Sequence, residues 1–417
     1  MNNSISADNV IIILINNLDK EDFLPIIENS VFNANLLIVF DKATVTDYEE
    51  YSQEYIVEEF NVPEKIVAQI KKWADKKQKK VVGIVGLDEE YQYSLSKKIA
   101  DAFNLQFYDN KVISTVVNKY LQRKILHQDN INGPRFKIIN NDHDLSGINF
   151  PNVLKVTFGI GSSFVYFNKD FAQLQRNISN FKNKNSNPNN KLLLEEFIGG
   201  DEYSCDYIVH NTSKVKVLRI VKKITSKDHF PFFEGFYLYN PDYLVNPEFT
   251  LPELENFCKK VACSLNIDRG VCMMDFKFFN NKFFVVETTI RPGISQFIEL
   301  MAELYGYISI DILIRQMLHE DTEIKIPPST GLVFYITTDQ QGTITKFDTS
   351  FVEDNSSELG ITKISKYYTP GQKIFREKNK FYNKIMLGHI VMKNVKRDAI
   401  EEIIHNIRKK IYIEVAC

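Results

Sequence analysis

The chain has 417 residues, with 51 Lys or Arg and 53 Asp or Glu for a formal net charge of −2, and is 44% hydrophobic and 25% charged. That is material for two or three domains around a large core, which excludes a disordered chain or a small stapled scaffold. The balanced charge gives no bulk attraction to nucleic acid or to an anionic membrane, so neither is expected as a partner.

The apolar run Val10 to Ile15 is too short for a signal peptide or a membrane span and has no basic segment before it. It reads as a buried strand. Asn35 to Phe40 and Val81 to Val85 read the same way, and Glu21 to Glu28, Pro63 to Lys79 and Tyr93 to Phe103 read as helices. Ile66, Ile70 and Trp73 supply an apolar helical face, and the lysine run Lys71 to Lys80 is its solvated end. Strands alternating with helices predict a mainly parallel sheet.

A helix is predicted from Lys111 to Gln128, then strands Phe150 to Val156 and Phe164 to Phe167 and a helix Asp170 to Asn180. The polar stretch Lys182 to Asn190 is a loop. Strands Lys191 to Phe197, Glu202 to His210 and Val215 to Lys223 follow, then an irregular aromatic segment His229 to Pro241. A helix Pro252 to Leu265 leads into a hairpin, Gly270 to Phe279 and Lys282 to Thr288, and a helix Ile308 to Met317. Strands Gly331 to Thr337, Thr343 to Phe347 and Lys384 to Met392, a helix Arg397 to Lys410 and a strand Ile411 to Val415 complete the tail. The five cysteines are odd in number and form no CxxC pair, which argues against a disulfide framework or a zinc site and fits a reducing cytoplasm.

Four segments carry chemistry. Lys155 closes an apolar strand and precedes the Gly159-x-Gly161-Ser162-Ser163 loop. An ammonium in a core strand needs an anionic partner, and the N–H groups of such a loop can wrap phosphate oxygens, although a plain hairpin turn is its ordinary use. Glu195 and Glu196 end another strand before a glycine turn, and Glu202 opens the next. The backbone at Glu196 and Ile198 could read a base edge and Glu202 could accept from ribose hydroxyls; solvated acids at a hairpin tip are the bland alternative. Asp275 and Glu287 interrupt the two apolar strands of the hairpin. Side chains alternate faces along a strand, so a two-residue turn at Asn280-Asn281 pairs Asp275 with Val286 and turns Glu287 away. A three-residue loop pairs Asp275 with Glu287, and only then can both grip Mg2+, with Thr289 on the same face. Arg291 follows at the corner Arg291-Pro292-Gly293.

In this order the segments resemble the ATP-grasp superfamily of ATP-dependent carboxylate–amine ligases, clearly over residues 81–330. "DNKVISTVVNKYLQRKIL" resembles the family's helix with an ATP-binding lysine, here Lys119, and a following arginine, Arg123. "FPNVLKVTFGIGSS" resembles its lysine strand and phosphate loop, "LEEFIGGDEYSCDYIV" its adenine hinge and ribose glutamate, and "MDFKFF…VVETTIRPG" its metal hairpin. The resemblance implies an α/β and α+β chain: a Rossmann-like domain (1–112), a nucleotide-binding lid (113–200), a subdomain with the metal and substrate site (201–330) and a C-terminal subdomain (331–417). It implies ATP held by Lys119, Lys155, Gly159, Gly161, Ser162, Ser163, Glu195, Glu196, Ile198 and Glu202. It implies one or two Mg2+ ions, or Mn2+, on Asp275, Glu287 and Thr289, and Lys155 and Arg291 as catalytic residues. Arg219, His229 and Gly293 are weaker candidates for substrate contact. The family usually has Asn where this chain has Thr289, a poorer metal ligand. The tail is similar to that of L-amino-acid ligases, which implies a small-molecule carboxylate and an amine joined through an acyl phosphate, and a cytoplasmic protein, often a dimer. Other ATP-grasp enzymes acting on bicarbonate or formate, or a non-catalytic ATP-binding module, are the alternatives.

Overall fold

The computed structural model describes residues 5–16, 24, 27–44, 54–86, 92–140, 142–159, 164–185, 188–211, 214–225, 233–239, 248–293, 296–306, 309–320, 329–375 and 385–416. The expected helix at Glu21 to Glu28 falls largely outside them.

Strands β1 (Asn9–Ile15), β2 (Leu36–Asp41), β3 (Tyr55–Glu58) and β4 (Lys80–Gly86) form a parallel sheet in the order β3-β2-β1-β4. The middle strands are continuous apolar runs because both faces are covered. On one face lie α1 (Pro63–Lys77), through Ile66, Ile70 and Ala74, and α2 (Gln92–Ala102), through Leu95 and Ile99.

The next stretch departs from the sequence reading. The single helix expected from Lys111 to Gln128 is two, α3 (Asn110–Val117) and α4 (Lys119–Gln128). Asn118 leaves helical backbone at φ −114°, ψ 103°, and its side chain accepts from the N–H groups of Tyr120 and Leu121. Asn is among the best helix N-caps because its short carbonyl satisfies those otherwise orphaned donors. The break sets Lys119 as the first residue of a new helix, and its N–H donates to the Thr157 carbonyl.

A small antiparallel sheet follows, β5 (Phe136–Ile139), β6 (Asn152–Val156), β7 (Tyr166–Asn168) and β8 (Leu192–Glu196), in the order β5-β8-β6-β7. Leu174, Ile178 and Phe181 of α5 (Phe171–Lys184) share one core cluster with its Leu154, Val156, Leu192 and Leu194.

The largest sheet contains β9 (Asp201–Asn211), β10 (Lys214–Thr225), β11 (Phe233–Tyr239), β12 (Gly270–Phe279), β13 (Lys282–Thr289) and β14 (Gly331–Thr338). With β16 (Ile361–Lys366) and β18 (Ile385–Lys393) it runs antiparallel in the order β13-β12-β9-β10-β11-β14-β18-β16. The segment expected to be irregular therefore supplies an inner strand, β11. Its residues alternate between two cores: Tyr237 and Tyr239 join α6 (Leu251–Ser264), and Phe236 and Leu238 join α7 (Gln296–Tyr305) and α8 (Ser309–Met317). Side chains of β1 and β2 enter the second core, tying the parallel sheet to the large one. Strands β15 (Gly342–Asp348), β17 (Lys373–Ile374) and β19 (Tyr412–Ala416) make a small outer sheet, and α9 (Ile400–Arg408) packs into the first core. No helix among the described residues is long and apolar enough to cross a membrane.

Candidate active site

The small sheet stands over one end of the large one, and a cavity lies between them. Its lining includes Lys119, Lys155, Gly159, Glu195, Glu196, Ile198, Glu202, Asp275 and Glu287, gathered from four separate stretches of chain.

The hairpin of β12 and β13 shows how the chain solves the facing problem. Asn280 and Asn281 both adopt left-handed backbone, at φ 50° and 57°, and form the two-residue turn that pairs Phe279 with Lys282. That register would send Glu287 to the wrong face. It shifts between Asp275 and Phe276: Phe276 lies opposite Val285, yet Asp275 lies opposite Glu287. Val286 is thus the extra residue of a β-bulge. The two acids end as direct cross-strand neighbours on one face by a route that neither simple loop length provides.

Helix α4 holds this bulged edge in place. Gln122 donates to the Thr288 carbonyl at 2.8 Å and accepts from the Thr288 N–H at 3.1 Å. Arg123 donates to the carbonyl of Val286, the bulged residue, and its Nε lies 2.7 Å from Glu195 Oε1. The Nζ of Lys119 lies 2.6 Å from the Gly159 carbonyl and 2.6 Å from Glu287 Oε1. One helix therefore joins the hairpin, the strand β8 and the mouth of the glycine loop.

In the roof, Lys155 is buried with its Nζ 2.7 Å from Glu195 Oε2. Burial pulls its ammonium down to about 8 despite Glu195, and Arg123 adds to the fall. Burial alone would raise the carboxyl of Glu195, but Arg123 and Lys155 hold it below the usual carboxylate range. Glu195 is thus the internal counter-ion of Lys155 and Arg123 at the cavity wall. The Glu196 N–H donates to the Arg135 carbonyl and its carboxylate pairs with the exposed Arg135 guanidinium. An N–H for a base edge has to come from beyond it, where Phe197 and Ile198 line the cavity.

In the floor, Glu202 accepts from Lys223 at 2.8 Å, with Lys277 3.8 Å away. Lys223 also donates to Asp275 Oδ2 at 2.6 Å. Burial raises the carboxyl of Asp275 above its ordinary value in spite of Lys223. Burial would do the same to Glu287, but Lys119 holds it below the usual range. Asp275 Oδ1 is buried and has no hydrogen-bond partner among the described residues. A buried, unsatisfied carboxylate oxygen facing a second carboxylate is the donor set that a hard divalent cation takes. Among the described residues no group of three or more His, Cys, Asp or Glu side chains is gathered to hold a metal, so phosphate oxygens and water would have to complete the shell.

Other expected site residues sit elsewhere. The Thr289 hydroxyl is fully buried, 3.2 Å from the Tyr93 hydroxyl; Thr289 follows Glu287 by two residues on the same face of the strand and is not among the residues that line the cavity. Arg219 is completely buried and bidentate to Asp206, at 2.7 and 2.9 Å, with the Phe297 ring 4.0 Å from its guanidinium. Asp206 Oδ1 also accepts the Gly293 N–H at 2.9 Å. A Cβ at Gly293 would come within 2.7 Å of Arg219 Nη2, which explains the glycine. Arg219 and Gly293, expected at the substrate, instead form the frame of the corner that carries Arg291. Arg291 itself is buried and donates to the Pro292 carbonyl at 2.9 Å. Gly161, Ser162, Ser163 and His229 lie outside the described residues.

The sequence reading missed Lys223, Lys277 and Asp206. Lys222-Lys223 looks like a charged strand end, and only the pairing of β10 with β9 reveals which lysine turns inward.

Residues 148–293 match the family model described as ATP-grasp domain. The chain is similar in structure to L-amino acid ligase from Bacillus licheniformis, with a TM-score of 0.76 at 18% identity over 98% of this chain and 99% of that one. It is also similar to phosphoribosylglycinamide synthetase from Anaerococcus prevotii, with a TM-score of 0.66 at 17% identity over 98% and 100%. N5-carboxyaminoimidazole synthetase from Staphylococcus aureus, complexed with ADP, gives a TM-score of 0.69 at 13% identity over 98% and 99%. No curated protein sequence matches the chain. Two sheets closing on a cavity of lysines and acids, the match over 148–293 and the end-to-end structural likeness agree: the chain carries an ATP-grasp domain and has the ATP-grasp fold throughout its length.

Proposed function

We propose that this protein is an ATP-dependent carboxylate–amine ligase that forms an amide through an acyl phosphate, releasing ADP and phosphate. The observation that carries the reading is the facing of Asp275 and Glu287 in the cavity that also holds Lys119, Lys155 and Glu202. A carboxylate is a poor electrophile, and in this reaction it attacks the γ-phosphorus of ATP; an amine then attacks the acyl carbon and phosphate leaves. The protein's part is positioning and charge neutralisation.

Lys119 and Lys155 bind the nucleotide phosphates. Phe197 and Ile198 hold the base, and Glu202 accepts from the ribose. Asp275 and Glu287 hold Mg2+, or Mn2+, which when bound neutralises phosphate oxygens. The loop at Gly159 to Ser163 covers the γ-phosphate and excludes the water that would hydrolyse an acyl phosphate. Arg291 neutralises the carboxylate and the transferring phosphoryl group with a planar fork that lysine cannot reproduce. The likeness to an L-amino acid ligase, together with the tail, favours dipeptide or amino-acid amide formation in the cytoplasm, by a monomer or homodimer. The likeness to N5-carboxyaminoimidazole synthetase supports a second reading, with a small acid in place of the amino acid.

Phosphate release with ATP and Mg2+, scored across pools of amino acids and against bicarbonate and formate, tests both. Release that needs an amino-acid pair, with a dipeptide mass in the product, supports the first. Release with bicarbonate alone moves the assignment to the second. No release above an Asp275→Ala, Glu287→Ala control with any acid leaves a nucleotide-binding module and overturns the ligase.

A further inference from the structure

A second cavity, of about 660 Å3, lies where the parallel sheet meets the large one. The end of β4, helix α2, the segment Leu105 to Asp109, the start of β12 and the last turn of α8 all contribute to its wall. That volume is in the range of small-molecule sites. The cavity shares no lining residue with the cavity of lysines and acids, and the corner Arg291-Pro292-Gly293 does not line it. Tyr93 lines it, with its hydroxyl 3.2 Å from that of Thr289.

Two polar groups in this wall are left unanswered. Gln316 is completely buried; its Nε2 donates to the Glu320 carbonyl at 3.2 Å, but its Oε1 has no hydrogen-bond partner among the described residues. The Nη1 of Arg269, just before β12, is buried and has none either. A buried donor or acceptor is costly to leave unmade. The neighbouring charges are already engaged: Lys97 pairs with Asp101, and Asp109 Oδ1 accepts the Val112 N–H at 2.8 Å. The exposed Asp268 also lines the cavity. Between these groups the wall is apolar, with Ile84, Val85, Phe107, Val112, Ile290 and Leu313.

We infer that this cavity is a second binding site, for a small zwitterion with an apolar body: an amino acid or a short peptide. Its carboxylate meets the Arg269 guanidinium, and an N–H of its amine or amide meets Gln316 Oε1. A simple anion would leave the Gln316 acceptor unmade, and a simple amine would leave the Arg269 donor unmade; a molecule carrying both groups answers both. Asp268 adds a carboxylate that suits an ammonium. The site does not rest on the ligase reading, since none of these residues has a part in that chemistry.

Isothermal titration calorimetry on the full-length protein, without ATP, tests it with each common L-amino acid and with leucyl-leucine. At least one should bind. Arg269→Met should weaken that binding by about 10- to 100-fold, the scale of a lost hydrogen bond to a charged group, and Gln316→Leu by about 2- to 10-fold, the scale of a neutral one. Arg291→Ala should leave it unchanged. Leucyl-leucine binding more tightly than any single amino acid assigns the site to a peptide, and the reverse assigns it to an amino acid. Binding that survives Arg269→Met but is lost in Arg291→Ala belongs to the other cavity and overturns the inference. No binding of any probe overturns it too, and leaves a cavity filled by water. Arg269 is partly exposed and makes no hydrogen bond or ion pair among the described residues, so its variant should fold; if Gln316→Leu does not, as judged by circular dichroism, Arg269→Met decides. A non-hydrolysable ATP analogue should bind Arg269→Met as it binds the wild type. Failure of the analogue to bind the wild type would overturn the nucleotide reading and leave this site standing.

Discussion

Lys155 and Lys223 sit in one cavity, both buried, and their environments pull them in opposite directions. Burial lowers the roof lysine's pKa to about 8, and its one carboxylate, Glu195, is shared with Arg123, which adds to the fall. The floor lysine has Glu202 and Asp275 against it, and its pKa rises. The roof is short of negative charge and the floor has acids to spare. A polyanion entering between them relieves the roof, and a divalent cation on Asp275 and Glu287 relieves the floor. On the proposed reading the contrast favours phosphates at the roof and a metal at the floor, because a buried charge is tolerated only when something repays its lost hydration.

The largest effects should come from the floor. Asp275→Ala or Glu287→Ala should lower ATP-dependent phosphate release by about 10³-fold, the scale of removing a preorganised electrostatic group. Release retained within about tenfold would show that these acids hold no essential cation. Arg291→Ala should cost about 10²-fold in turnover with little change in nucleotide affinity, because its task begins when the phosphoryl group moves. Equal losses in both quantities would count against that role. The roof can then be broken by stability. Glu195→Gln leaves Lys155 and Arg123 without their shared carboxylate and should destabilise the fold by about 3 kcal/mol, read by chemical denaturation. Glu202→Gln should cost less, since Asp275 still holds Lys223; the reverse order would refute the charge contrast between the walls.

Much of this was legible in the sequence because each chemical residue interrupts an apolar run. Lys155 in "NVLKV", Asp275 in "CMMDFKF" and Glu287 in "FVVETT" are charges where a sheet core should be uniform. The strands around them followed from composition. What the sequence withheld depends on contacts between distant segments. The bulge at Val286 has no local marker; it is stabilised from outside by Arg123, 163 residues away in sequence. The break at Asn118 did have one, a good N-cap within a helical pattern, but apolar periodicity runs on both sides and hides it. The aromatic run at Phe233 reads as a loop until both its faces are seen to be covered. The roles of Lys223 and Asp206 come only from strand pairing, since a Lys-Lys pair and a lone Asp beside a Cys carry no signal of direction.

The smallest expected effect tests the roof directly. In the free protein Lys155 titrates near 8, below the 10.5 of an ordinary lysine. Between these values the unfolded chain holds a proton that the folded one has lost, so this group adds stability as pH rises from about 8 to 10.5 and costs stability below that window. Phosphate beside the ammonium reverses the shift, since a nearby anion favours the charged form. ATP binding at pH 8.5 should therefore take up a fraction of a proton, and affinity should fall as pH rises through about 8. Calorimetric titrations in two buffers of different ionisation enthalpy measure that uptake. Lys155→Arg, which stays charged throughout, should abolish it. A wild type that binds ATP with no proton uptake at that pH would mean that no phosphate approaches Lys155, and the anion would have to be seated on Lys119 and the glycine loop alone.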